Sequence, residues 1–258
     1  MNTDELPFVA PCRRLALRAP LRWLALGWQD FRNSNGRSPG FGAFMALLSM
    51  LVSWLAWQFG NLGLLLGLLS GFVLLGPLLA INLYSISDQL QHGLQPSIRN
   101  SVRDAFRCLN HALVFMVVLL VIFLVWARAA SMLHVFFPSD GATLARDLVV
   151  FLSAGTLVGA IFSAVVFIAA AFSLPMLLDR DADAITCVLT SANAVLRNKP
   201  VMVLWGLLIV AGVVIGMLTA FIGLVIILPV IGHATWHAYQ DVVDASAWPQ
   251  RSRSGLAD

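Results

Sequence analysis

The sequence predicts an all-α, polytopic membrane helix bundle of six transmembrane helices, arranged as three hairpins, each preceded by an interfacial amphipathic helix. Three observations predict it. Of 258 residues, 59% are hydrophobic and only 11% are charged, against roughly 25% charged in a soluble domain. The stretch from Gly40 to Tyr84 holds no charged residue; at 1.5 Å per helical residue it is too long for one crossing of a core about 30 Å thick. Comparable apolar runs recur twice, each after a short segment in which arginines and apolar residues alternate at helical spacing.

Residues 1–20 are polar and contain prolines, and they read as a flexible tail. No uninterrupted apolar region adjoins Arg13-Arg14, so neither a cleaved leader nor a twin-arginine signal is expected. The membrane domain covers 21–243. Leu17, Leu21, Leu24, Trp28 and Phe31 share one helical face, with Arg14, Arg18 and Arg22 on another; Pro20 suits a first turn. This is the pattern of a helix lying in the membrane interface. Asn33 to Gly40 reads as a turn. The first hairpin has arms at 41–58 and 62–84, turning at Gly60-Asn61, with a kink at Pro77.

Gln89 to Pro96 reads as a loop. Ile98, Val102, Ala105, Phe106 and Leu109 then form a second stripe, opposite Arg99, Arg103, Asp104 and Arg107. A helix follows at 111–130, then a polar loop through Pro138 and Gly141. The next helix, 147–178, is long enough to need tilt or a kink, for which Pro175 is placed. Asp179 to Asp183 is an acidic turn, and Ile185, Val188, Leu189, Ala192 and Val195 make the third stripe, closed by Lys199-Pro200. Val201 to Gly232 carries no charge. One straight helix there would be roughly 48 Å long, so a hairpin turning near Met217 to Phe221 is expected, with arms at 201–217 and 221–243. Residues 244–258 read as a second flexible tail. Pro77, Pro175 and Pro229 occupy corresponding places in the three units.

Positive charge sets orientation. With the N-terminus in the cytoplasm, Arg13, Arg14, Arg18, Arg22, Arg32 and Arg37 lie on that side. So do Arg99, Arg103, Arg107, Arg180, Arg197, Lys199, Arg251 and Arg253. Only Arg128 and Arg146 fall on the other. Both ends are then cytoplasmic. The arginines are scattered singly beside apolar runs, which points to anionic lipids at the cytoplasmic face and not to nucleic acid.

The chemistry available is sparse. Cys12, Cys108 and Cys187 show no metal or disulfide spacing. The helix interiors offer Asn82, Thr156 and Ser163 but essentially no Asp, Glu, Lys or Arg. There is no phosphate loop, HExxH, GxSxG or membrane carboxylate pair, so neither enzymatic activity nor a cofactor is expected. One constellation stands apart: His233, His237 and Asp241 are spaced four apart on one face of the last helix, and His111 opens the third helix on the same side. Two histidines so spaced can hold a metal with His111 as a further ligand. A pH-sensitive or partner contact is a second reading, and the plainer one is a polar cluster that anchors the helix end with Trp236 and Tyr239. Small residues recur at Gly63, Gly67 and Gly71, at Gly155, Gly159 and Ser163, and at Gly212 and Gly216. That spacing serves packing inside the bundle, or an interface with a membrane partner or a second copy.

Five segments carry a family resemblance: WLALGWQDF at 23–31, GPLLAINLYSISDQ at 76–89, FSLPMLLDRDAD at 172–183, SANAVLRNKPVMVLWG at 191–206 and LPVIGHATWHAYQDVV at 228–243. By these the chain resembles a prokaryotic integral membrane family known only as domain of unknown function 2189, some of whose members are labelled cytochrome c oxidase subunits. The resemblance implies a six-helix protein of the bacterial cytoplasmic (inner) membrane and brings no catalytic residues. A haem–copper subunit would need several mid-membrane histidines, which this chain lacks. The expected role is a non-enzymatic accessory or assembly factor of a membrane complex; the alternative is a transporter or channel for small neutral or hydrophobic solutes.

Overall fold

A computed structural model of the chain describes residues 7–59, 76, 79–136 and 145–251. The described chain is helical: α1 (Ala19–Asn33), α2 (Arg37–Phe59), α3 (79–91), α4 (Ile98–Arg107), α5 (Leu109–Phe136), α6 (Ala145–Ala170), α7 (Ser173–Asp179), α8 (Ala184–Arg197), α9 (Lys199–Leu218) and α10 (Leu224–Val242). Among the described residues β structure is confined to isolated bridges, Cys12 with Val243 and Arg180 with Gln250.

Four stretches among the described residues are long and apolar enough to cross a membrane: Arg37–Phe59, Leu109–Met132, Ser153–Asp179 and Lys199–Leu218. The expected arm at 62–84 lies mostly outside the described residues, as do Pro77, Gly63, Gly67 and Gly71. The expected arm at 221–243 corresponds to α10, which is not among the four. Its second half carries His233, His237, Gln240 and Asp241, which lower its mean hydropathy.

Little of each span is buried, from 11% in α2 to 28% in α5. The core sits instead at one end of the bundle, here called the cap. Trp23, Trp205, Trp236, Tyr239, Phe115 and Phe172 are all fully buried there. Trp23 of α1 and Trp205 of α9 meet edge to face, their ring centroids 5.7 Å apart, a geometry that aligns ring edge with ring face.

The amphipathic helices are built inside out relative to a soluble protein. In α4 the small residues Ser101 and Ala105 are buried, while Ile98, Val102 and Phe106 are exposed. Likewise α1 exposes Leu21 and Trp28, and α8 exposes Ile185, Leu189 and Leu196. An apolar stripe turned outward beside arginines suits the acyl–headgroup boundary.

Several segments depart from the sequence reading for identifiable reasons. The turn placed at Asn33 to Gly40 is only Ser34 to Gly36, where Asn35 and Gly36 have φ of 52° and 81°. The Ser34 hydroxyl accepts from the Ser38 amide at 3.2 Å, so α2 starts at once. Residues 89–91, read as loop, continue α3. Gln89 is tied to Ser85 and Ser101, each at 3.1 Å. Gly93, at φ 69°, ends the helix, with the Leu94 amide reaching the Gln89 carbonyl at 2.9 Å.

The expected long helix at 147–178 breaks at Ala171 and Phe172 between α6 and α7. Pro175 has no amide to give the Ala171 carbonyl and its ring crowds that carbonyl, so the interruption falls upstream and the proline sits in the first turn of α7. Ser191 of α8 repairs the gap. Its hydroxyl accepts from the Phe172 amide at 3.1 Å and donates to the Ile168 carbonyl at 2.8 Å, the two groups that an unbroken helix would have paired.

The ends read as flexible tails are also corrected where they are described. The Ala10 amide donates to Thr190 at 3.0 Å, Asn198 bonds the Leu15 amide and the Arg13 carbonyl, and the Arg13 amide reaches the Val242 carbonyl at 2.8 Å. After α10, Trp248 is 3% exposed and the Arg251 amide bonds the Asp179 carbonyl at 3.0 Å. Backbone groups that find such partners have no reason to remain solvated.

Between α9 and α10 the chain turns at Thr219 to Gly223. Ala220 and Phe221 take left-handed backbone angles, φ 50° and 67°, without glycine. Thr219 holds them in place, its hydroxyl donating to the Gly216 carbonyl and accepting from the Gly223 amide, both at 2.9 Å.

Candidate functional site: the α10 zipper and the cavity beside it

Every polar side chain that the sequence singles out on α10 closes onto another helix. His233 is fully buried. Its Nε2 lies 2.8 Å from the Ser38 hydroxyl of α2 and its Nδ1 lies 2.8 Å from the Ser87 hydroxyl of α3. One turn on, His237 Nε2 is 2.8 Å from Asp30 of α1, and its Nδ1 is 3.2 Å from the Gln91 amide of α3. With Nδ1 accepting from an amide, the ring proton sits on Nε2 and is donated to the Asp30 carboxylate. Another turn on, Asp241 accepts from Arg22 and, at 2.9 Å, from the Trp23 indole. Gln91 also pairs amide to amide with Gln240, both contacts 2.8 Å, and accepts from the Trp236 indole at 3.1 Å. Tyr239 and Arg180 share Asp179 at 2.9 and 2.8 Å.

The i, i+4, i+8 stripe is thus a zipper that joins α10 to α1, α2 and α3. Both nitrogens of each histidine ring are engaged. Among the described residues no group of three or more His, Cys, Asp or Glu side chains converges to hold a metal ion, so His111 does not join His233 and His237. The partners Ser38, Asp30 and Gln91 were not singled out from sequence. Serines in helices carry no periodic signal, and only the fold brings them to α10.

Glycines set how close the backbones come. A Cβ on Gly42 of α2 would lie 2.0 Å from the Val225 carbonyl oxygen of α10 and 2.9 Å from the Pro229 ring. Pro229 offers no amide to that same carbonyl, its i−4 partner. The bare oxygen is left facing a bare Cα, an arrangement suited to a Cα–H···O contact. Gly27 of α1 meets the Val230 oxygen and the Ala234 nitrogen in the same way, and Gly232 meets Leu83 of α3. Of the small residues named from sequence, Gly212 faces Ile227 and Ile231, and Gly216 faces Leu224, all within the α9–α10 pair. Gly159 of α6 faces the Trp126 indole of α5 at 4.0 Å, and Gly155 is half-buried on α6. Gly216, where a Cβ would come within 2.2 Å of the Leu224 side chain, was among those named; Gly27, Gly42 and Gly232, which meet α10 or α3, were not. Gly42 and the buried Ala46 do share the four-residue spacing that could have revealed the first crossing.

Outside the spans, Asp183 caps α8. Its carboxylate accepts from the Ile185 and Thr186 amides at 2.8 and 2.9 Å and from the Thr186 hydroxyl at 2.7 Å. Burial pushes its pKa up, but these bonds outweigh it and hold the group below the ordinary carboxylate value. Replacing Asp183 by Ala should cost about 1 kcal/mol, the usual worth of an N-cap. A depressed folded pKa contributes stability above the unfolded value of about 3.9 and loses it as pH falls through the folded value. The melting-temperature gap between wild type and Asp183→Ala in detergent should therefore be full at neutral pH and narrow below about pH 4. A gap independent of pH would contradict the capping role. The cysteines make poor nucleophiles: burial raises Cys12 and Cys187 above the usual thiol value and pushes Cys108 up to about 11.

Beside the zipper, among α3, α5, α6, α7, α9 and α10, lies a cavity of about 610 Å³ walled mainly by apolar and aromatic side chains, including Phe123, Trp126, Phe162, Phe167 and Trp205. A second cavity of about 500 Å³, on the cap surface, is lined by the already paired Arg13, Asp179, Arg180, Tyr239 and Asp244.

No curated protein and no solved structure matches the chain. Of the five segments quoted for the family resemblance, the matched region takes in GPLLAINLYSISDQ and the first part of FSLPMLLDRDAD, and the other three lie outside it. The cytochrome c oxidase label is not confirmed by these comparisons. Residues 64–179 match the model of the family described as "Predicted integral membrane protein (DUF2189)", in keeping with the apolar spans of an integral membrane protein.

Proposed function

We propose that this chain is a non-enzymatic accessory or assembly component of a membrane complex. The observation that carries this is the commitment of the cap's polar side chains to one another: His233, His237, Asp30, Asp241 and Asp179 are each spent on a neighbouring helix. At the 500 Å³ cavity the Tyr239 hydroxyl donates to Asp179, but Arg180 engages the same carboxylate, which makes the pair a structural tie.

The protein lies in the cytoplasmic membrane of a bacterium, with six crossings in three hairpins and both ends cytoplasmic. The Cys12–Val243 bridge supports this, because ends that meet on one side require an even number of crossings. The arginine asymmetry supports the orientation. Anionic lipid gathers on α1, α4 and α8, whose outward apolar stripes flank arginines. Reporters fused after Asp140 and at the C-terminus should read periplasm and cytoplasm; the same compartment for both would rule out this topology.

Transport of a small neutral or hydrophobic solute is the second reading, favoured by the cavity of about 610 Å³ within the bundle. Purification from native membranes in mild detergent separates the two. A stoichiometric co-purifying membrane chain, with retained anionic phospholipid that falls in an Arg99→Gln, Arg103→Gln, Arg107→Gln variant, is the expected result. A lone protein that moves solutes in liposomes would overturn the accessory reading.

A further inference from the structure

The 610 Å³ cavity is of the size that encloses a small molecule, roughly 300–1,000 Å³. No Asp, Glu, Lys or Arg is found among its described lining residues. A charged guest would lose its hydration there and gain no counter-charge.

Tyr84 breaks the apolar pattern. It lines the cavity and is only 7% exposed. Among the described residues its hydroxyl has no hydrogen-bond partner, nor is it among the oxygens sealed away in the interior. A buried phenol ordinarily finds a partner. Thr235, also in the lining, already donates to the Ile231 carbonyl at 2.8 Å. The cavity is also oriented. Tyr84, Leu119, Leu174 and Trp205 belong to the buried cap core, while Trp126 lies further out along α5, about 10 Å beyond Leu119 at the helical rise. The cap end thus presents the Tyr84 hydroxyl, and beyond it the walls are hydrocarbon and aromatic faces broken by the Ser163 hydroxyl of α6.

We propose that this cavity binds one uncharged amphiphile from the membrane, its single hydroxyl or carbonyl head hydrogen-bonded to the Tyr84 hydroxyl and its apolar body lying along Phe167 and Phe123 toward Trp126. The inference goes beyond the accessory reading and does not rest on it. Binding of a lipid-like molecule can be measured on the purified chain without a partner and without transport, so the failure of either leaves the other standing.

The test is photolabelling of the full-length protein in mild detergent with a hexadecanol that carries a mid-chain diazirine, followed by peptide mapping. Saturable labelling of the α5 and α6 walls is expected. Unlabelled 1-hexadecanol should compete about tenfold better than hexadecane, the worth of one hydrogen bond, and palmitate should compete no better than hexadecane. Tyr84→Phe should remove the advantage of the alcohol while leaving the melting temperature unchanged, because that hydroxyl has no hydrogen-bond partner among the described residues. Gly159→Leu, which fills the cavity beside Trp126, should abolish the labelling. Should that variant not fold, the Tyr84→Phe comparison decides alone. Unsaturable labelling, equal competition by alcohol and alkane in the wild type, or an advantage that survives Tyr84→Phe would overturn the proposal.

Discussion

Gly42→Val should destabilise the protein by about 3 kcal/mol, the upper part of the usual range for overpacking. The reason is that the obstacle is backbone. The new Cβ would sit 2.0 Å from the Val225 oxygen and 2.7 Å from its carbonyl carbon, and no rotamer change moves those atoms. Helices α2 and α10 would have to separate, dragging Ser38 from His233. Gly40, two residues earlier on the same helix, has open space where a Cβ would stand, with nothing within 4 Å. Gly40→Val is therefore the matched control and should behave like wild type. Denaturant titration in detergent, read by the near-ultraviolet signal of the buried tryptophans, measures both. Equal stabilities for the two variants would mean that the α2–α10 crossing is not tight.

His233→Leu should be comparably damaging, by about 2–5 kcal/mol, because two buried hydroxyls lose their partner at roughly 1–3 kcal/mol each. Ser38 and Ser87 are both fully buried, so water does not readily replace the ring. The same arithmetic predicts a rescue. With Ser38→Ala and Ser87→Ala added, neither side has an unmet polar group, and most of the loss should return, since replacing both partners by apolar groups is close to neutral. A triple variant as unstable as the single one would show that His233 contributes through its shape and not through its two hydrogen bonds.

The helices were legible because the bilayer requirement is written locally: charge-free runs of sufficient length, bounded by arginines. The turn expected at Met217 to Phe221 followed from length alone, and the chain turns at Thr219 to Gly223. The break at Ala171 and Phe172 was only half legible. Pro175 announced an interruption, but the serine that repairs it lies on another helix. The histidine stripe and its plainer reading, a polar cluster that anchors the helix end, came from sequence, but its partners did not, because a sequence shows which groups share a face and not what meets them. Ser38 and Ser87 are distant from His233 and ordinary in type. The ends were misread for the same reason: polar, proline-containing segments look unstructured until residues such as Val242 and Asn198 supply partners for their amides. The cavity is a property of helices placed side by side, and no local pattern places the Tyr84 hydroxyl in its wall.

The zipper also bears on the order of assembly. Asp30, Ser38, Ser87 and Gln91 all emerge from the ribosome early, and the groups that satisfy them lie between His233 and Gln240. Until α10 arrives, the first helices have no place to spend these polar groups except water at the membrane surface. Contacts spanning so much of the chain are slow to form and cannot direct early steps. The N-terminal third must therefore wait, inserted but unlocked, and the last helix acts as the latch. Chains stalled before α10 should consequently be the ones that membrane quality-control proteases recognise.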